Sequence, residues 1–181
     1  RDLSSRVELF KSDGTSDGTV MIKDINPTEL ESSHPHNFIV FNDLLYFLAE
    51  TEPGHHEIYF TDGTELGTQR MSTLPVDESL NVFELFHLND LLIFKAIGDF
   101  DLELYASDGT FDGTFLLKDI NTEGGSMPQL HQMIEYNNEM YFQAYSPDIG
   151  SELWKTDGTS DGTVLVKDIN TGYDGYALSS N

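Results

Sequence analysis

Residues 151–169 read S-E-L-W-K-T-D-G-T-S-D-G-T-V-L-V-K-D-I, and the same pattern stands three more times upstream. Residues 7–25 read V-E-L-F-K-S-D-G-T-S-D-G-T-V-M-I-K-D-I; residues 56–74 read H-E-I-Y-F-T-D-G-T-E-L-G-T-Q-R-M-S-T-L; residues 102–120 read L-E-L-Y-A-S-D-G-T-F-D-G-T-F-L-L-K-D-I. The aligned glutamates Glu8, Glu57, Glu103 and Glu152 are 49, 46 and 49 residues apart. Self-similarity at a fixed period of this length is the signature of a repeat architecture.

The segments between the motifs also align. Each holds two short apolar runs joined by a dipeptide of Asn and Asp: Asn42-Asp43, Asn89-Asp90 and Asn137-Asn138. These residues tolerate the positive φ that two-residue hairpins need. The runs are short and rich in aromatic and β-branched residues, so they read as strands; no window carries a helical period. Each full repeat therefore predicts four antiparallel strands: A, a tight turn, B, a polar turn, C, the D-G-T-x-x-G-T turn, and D. Four strands in about 40–50 residues is the period of a β-propeller blade. The chain divides into a half blade at 7–25 (strands C and D), blades at 33–74, 80–120 and 127–169, and a tail or start of a further blade at 170–181. Strands A and B of the first blade are missing from it. The expected fold is an all-β propeller within 1–181, as an incomplete ring or a piece of a larger one.

Turn chemistry explains part of the motif. Asp13, Asp62, Asp108 and Asp157 can bond amides two residues on, and Gly14, Gly63, Gly109 and Gly158 supply positive φ. The second acid is Asp17, Asp112 and Asp161 in three copies, but Leu66 in the other. The pairs Asp13 and Asp17, Asp108 and Asp112, and Asp157 and Asp161 are candidate calcium ligands, since Ca²⁺ takes several carboxylate or carbonyl oxygens. Leu66 argues against a calcium site in every copy. Facing Ser12 with Thr19 in a regular hairpin puts Phe10 opposite Met21 and Glu8 opposite Lys23. The same register predicts cross-strand ion pairs Glu103–Lys118 and Glu152–Lys167. Glu57 would face Ser72, and that repeat would lack the pair.

The chain carries 9 Lys and Arg against 32 Asp and Glu, a formal charge of −23. That balance repels phosphate backbones and anionic lipid, so neither nucleic-acid binding nor membrane insertion is expected; no apolar run approaches the ~20 residues of a spanning helix. A heavily solvated surface, or recruitment of Ca²⁺ or a basic partner, accounts for the acidity. With 38% hydrophobic residues the chain can still bury a core. There are no cysteines, which excludes disulfides and thiolate metal sites.

Six histidines remain. His34, His36, His55 and His56 fall in one repeat, where they could bind a transition metal or simply stand in turns. His36 and His131 occupy equivalent positions. Phe10, Tyr59, Tyr105 and Trp154 share one repeat position, which points to packing between blades; Tyr173 and Tyr176 are the aromatics expected to be exposed. No catalytic or phosphate-binding motif is present, and no pair of acids stands out as a glycosidase pair.

The segment E-L-W-K-T-D-G-T-S-D-G-T-V-L-V-K-D-I resembles the E-L-W-x-x-D-G-T-x-x-G-T repeat family of bacterial secreted and cell-surface proteins, also described as hyalin-like. The second copy departs most, with Ile58-Tyr59 for Leu-Trp and a Met71-Ser72-Thr73-Leu74 ending. The resemblance implies an extracellular, propeller-like array and transfers no catalytic residue. The expected function is a non-enzymatic structural or protein-interaction module that meets a protein partner or the rest of a larger assembly. A carbohydrate-binding module, or less readily a glycosidase on a propeller, are the alternatives.

Overall fold

A computed structural model describes residues 6–26, 32–71, 81–97, 102–120, 131–169 and 171. Every regular element among them is a β-strand. Strands β1 (Leu9–Lys11) and β2 (Val20–Lys23) form a hairpin. A four-stranded sheet follows from β3 (His36–Phe41), β4 (Leu44–Glu52), β5 (His55–Thr61) and β6 (Gln69–Arg70). The next comprises β7 (Asn81–Leu88), β8 (Leu91–Ile97), β9 (Leu102–Ser107) and β10 (Thr114–Lys118), and the last β11 (His131–Tyr136), β12 (Glu139–Ser146), β13 (Gly150–Thr156) and β14 (Val164–Lys167). Each is an antiparallel meander in chain order, as the repeat predicts. The tight turns follow the prediction at five of the six positions: Asn42, Asp43, Asn89, Asn137 and Asn138 have positive φ, between 48° and 62°, and Asp90 does not. His36 pairs with Leu48 and His131 with Gln143, so the two histidines do hold equivalent backbone positions.

The sheets stack face on face, and the core lies between them. Leu9, with Ile22 and Ile25, packs on Phe47, Ala49 and Tyr59 of the second sheet. The opposite face of that sheet presents Phe41, Tyr46, Leu48, Ile58 and Met71 to Leu92, Phe94, Ala96 and Tyr105 of the third. The third in turn presents Leu88, Ile93, Leu104, Leu117 and Ile120 to Met140, Phe142, Ala144 and Trp154 of the fourth. Phe47, Phe94 and Phe142 hold one repeat position and are all fully buried against the preceding sheet. Each contributes about 1.5–3 kcal/mol of apolar burial. Tyr59, Tyr105 and Trp154 point the same way, so their shared position is an inter-sheet packing position. Phe10, at the same repeat position, is the exception and stays half exposed.

The expected Glu–Lys ladder does not form. Phe10 does pair with Met21, but a β-bulge then inserts Ile22, and Lys23 falls opposite Leu9 rather than Glu8. The same bulge sets Lys118 opposite Leu104 and Lys167 opposite Leu153. A bulge places two residues against one and turns the strand. Here it aims Ile22 and Leu117 at the next sheet and releases both ends of the anticipated pair for other partners. The buried Glu8 carboxylate accepts the Ile25 and Ser33 amides, both at 3.0 Å, and the Ser33 hydroxyl at 2.6 Å. Glu152 accepts the Ile169 amide at 2.8 Å. These glutamates therefore bind backbone beyond their own hairpins. In the second repeat, expected to lack a pair, the glutamate does meet a cation: Arg70 Nη1 lies 3.0 Å from both Glu57 oxygens.

The freed lysines cross to the next sheet. Lys23 Nζ donates to the Thr68 carbonyl at 2.6 Å, and Lys118 Nζ to the Thr163 carbonyl at 2.8 Å. Both acceptors are the final threonine of the following D-G-T-x-x-G-T turn. Asn37 makes a second strut, its amide exchanging hydrogen bonds with the Leu85 backbone of the third sheet.

Candidate functional site

The motif turn has the same hydrogen-bond network in all four copies. In the fourth, Asp157 Oδ1 accepts the Thr159 amide at 2.9 Å and the Thr159 hydroxyl at 2.7 Å. The Thr159 hydroxyl in turn accepts the Gly162 amide at 2.9 Å. Thr163 donates its hydroxyl to the Thr159 carbonyl at 2.7 Å and lies 2.7 Å from the Thr156 hydroxyl. Thr156 accepts the Gly158 amide at 3.0 Å. Proton assignment is then unique: Thr163 donates to the carbonyl, so Thr156 donates to Thr163, and each hydroxyl gives one hydrogen bond and takes one. The network repeats at Ser12, Asp13, Thr15 and Thr19, at Thr61, Asp62, Thr64 and Thr68, and at Ser107, Asp108, Thr110 and Thr114.

Every fixed letter has a use. The first glycine sits at φ of +92° (Gly14), +87° (Gly63), +95° (Gly109) and +95° (Gly158), where a side chain is strained. The second glycine was not explained by turn chemistry. A Cβ on Gly18, Gly67, Gly113 or Gly162 would fall inside the carboxylate of the turn's own aspartate. The aspartates are held below the usual carboxylate range, first by the hydroxyl of Thr15, Thr64, Thr110 or Thr159 and then by the same residue's amide. Only the two x positions carry no such duty: Ser16-Asp17, Glu65-Leu66, Phe111-Asp112 and Ser160-Asp161, all exposed.

These turns gather at one end of the stack. Lys11 Nζ reaches the Gly63 carbonyl of the next turn at 2.8 Å. Gly109 faces Tyr46 and Phe41, which flank Asn42-Asp43, and Gly158 faces Leu88 and Leu91, which flank Asn89-Asp90. Tyr46 has its phenol pushed up, by burial first and then by the charge of Asp108. Asn89 Nδ2 donates to Asn138 O at 3.4 Å, tying two tight turns together. Asp13, Asp17, Asp43, Asp62, Glu65, Asp90, Asp108, Asp112, Asp157 and Asp161 thus share one end.

The calcium candidates divide. Asp13, Asp108 and Asp157 each have Oδ1 engaged inside the turn, while Asp17, Asp112 and Asp161 are exposed beside it. Among the described residues no group of three or more His, Asp or Glu is disposed to hold a metal ion. The histidines of the second repeat do meet, around Glu50. His34 Nδ1 lies 2.7 Å from Glu50 Oε2, His56 Nε2 lies 3.5 Å from Oε1, and the His36 ring meets the His56 ring edge-on at 5.0 Å. Burial alone would raise Glu50; the hydrogen bonds from His34 and the Gly54 amide and the nearby histidine charges outweigh it and lower it. His56 is lowered by burial first and then by His36. His55 stands 3.8 Å from Glu57. Tyr173 and Tyr176 lie outside the described residues.

Compared with models of known protein families and with curated proteins, the chain matches none.

Proposed function

We propose that the four sheets are blades of a β-propeller and that the chain is a non-enzymatic platform, extracellular or on the cell surface, whose acidic turn end binds a basic partner. The observation that carries this reading is the division of labour in the motif. Its fixed letters are consumed by the turn, and its x positions are left exposed along one end, with one acid in each turn. The stacking of successive meanders through struts of constant sequence spacing supports the propeller. The compartment rests on the repeat resemblance. At a formal charge of −23 the surface steers cations and basic peptides toward it, and salt screens that attraction.

The test is binding of a fluorescent oligolysine peptide, followed by anisotropy across a salt series. The reading expects binding that weakens with salt, and that weakens again when Asp17→Asn, Glu65→Gln, Asp112→Asn and Asp161→Asn are combined. Binding unaffected by both salt and the four changes would refute it.

A further inference from the structure

The motif turn carries an Asp–Gly bond twice in three of its four copies. The first is fixed: Asp13-Gly14, Asp62-Gly63, Asp108-Gly109 and Asp157-Gly158. The second is Asp17-Gly18, Asp112-Gly113 or Asp161-Gly162, and the second repeat has Leu66-Gly67 there. Next to an aspartate, glycine leaves its own amide nitrogen free of a neighbouring Cβ, so that nitrogen can attack the aspartate side chain. The attack needs a free carboxyl group, and the two carboxyls of one turn are held differently. The third repeat, which has a sheet on either side, shows this most directly. Asp108 Oδ1 accepts the Thr110 amide at 2.9 Å and the Thr110 hydroxyl at 2.6 Å. Asp112 is exposed, and among the described residues its carboxylate has no hydrogen bond or ion pair. The two glycine amides are restrained alike: Gly109 donates to the Ser107 hydroxyl and Gly113 to the Thr110 hydroxyl, both at 3.0 Å.

We propose that Asp112, and with it Asp17 and Asp161, is a site of spontaneous conversion to isoaspartate in the folded chain, and that the motif network protects Asp108 and its counterparts from the same reaction. The Gly113 nitrogen attacks the carboxyl carbon of the protonated Asp112 side chain. A C–N bond forms, the C–OH bond breaks, and the hydroxyl leaves with the amide proton as water. Water then adds to one of the two carbonyls of the five-membered imide. Opening at the side-chain carbonyl restores aspartate; opening at the main-chain carbonyl gives isoaspartate. The carboxylate survives, so the charge of the turn end is unchanged and this site is independent of any basic partner. The main chain gains one carbon, which moves Gly113 off the Thr110 hydroxyl and loosens the turn. At Asp108 the attack must first break two hydrogen bonds that Asp112 does not make, which slows it about tenfold or more. The reactive form is the neutral acid, and Asp108 is held below the usual carboxylate range, by the Thr110 hydroxyl first and then by its amide.

The test holds the full chain at neutral pH and physiological temperature for several weeks, once folded and once unfolded in guanidinium chloride. Digestion and mass spectrometry with electron-transfer fragmentation then distinguish isoaspartate from aspartate at each site. In the folded chain, isoaspartate is expected to accumulate at Asp112 about tenfold or more faster than at Asp108. Asp17 against Asp13 and Asp161 against Asp157 follow the same order, and Asp62 is as slow as Asp108. In guanidinium the difference within each turn disappears. Thr110→Val, on an exposed side chain, speeds Asp108 toward the Asp112 rate. Asp112→Glu, one carbon too long for the five-membered ring, leaves position 112 unmodified. A folded chain in which Asp112 forms no isoaspartate, or forms it no faster than Asp108, overturns the proposal.

Discussion

Thr163→Val isolates the motif network. Valine keeps the volume and the β-branch, so strand preference and packing are preserved. The substitution deletes the hydroxyl that donates to the Thr159 carbonyl and accepts from Thr156, both at 2.7 Å. Thr156 and Thr163 are fully buried, so water cannot replace the acceptor that Thr156 loses. Two hydrogen bonds at about 1 kcal/mol each, with one hydroxyl left unsatisfied, give a loss of about 2–3 kcal/mol. For a chain of this size that is about 5–10 °C in unfolding midpoint. Thr19→Val removes the same two bonds, to Thr15 O and Ser12 Oγ, both at 2.7 Å, but Ser12 and Thr19 are exposed. Water takes over there, and the loss is about 0.5 kcal/mol. Differential scanning calorimetry or denaturant melts of the two variants make the comparison. Equal losses at the two sites, or none at Thr163, would refute the claim that burial gives the network its stabilising effect.

Other expectations concern the struts and the acids. Lys118→Ala should destabilise by about 1 kcal/mol through loss of the bond to Thr163 O, while Lys167→Ala in dilute solution stays within about 0.5 kcal/mol of wild type by chemical denaturation. Glu8→Gln turns one carboxylate oxygen into a donor facing groups that donate to it, and should cost about 2 kcal/mol in the same assay. Asp13, Asp62, Asp108 and Asp157 titrate lower folded than their ordinary value of 3.8. Their contribution is therefore fully present above about pH 4 and is lost as pH falls through the folded values. The unfolding midpoint should drop on acidification below about pH 4, less so in a variant with all four changed to Asn.

Much of the fold was legible because its signals are local. The meanders follow from the period and from the Asn and Asp dipeptides, whose positive φ is a property of those residues. Tyr59, Tyr105 and Trp154 were recognisable as packing positions because they recur, whereas Phe10 at the same position is half exposed. The Glu8–Lys23 pairing failed because a bulge adds one residue to the strand, and register reasoning on a regular hairpin has no place for Ile22. Glu8 finds Ser33 instead, a contact made only after the next segment folds back. The second glycine was harder to read, since its reason is a carboxylate lying against its α-carbon. Its presence in all four copies, beside an invariant threonine, was the available signal. The lysine struts could have been suspected from Lys23 and Thr68, and Lys118 and Thr163, each pair 45 residues apart.

Thermal unfolding of two variant sets tests the central division between structural and presented acids. One set changes Asp13, Asp62, Asp108 and Asp157 to Asn; the other changes Asp17, Asp112 and Asp161 to Asn with Glu65→Gln. The account predicts a clearly lowered midpoint at neutral pH for the first set and a midpoint at or above wild type for the second. A second set that melts as early as the first would contradict it.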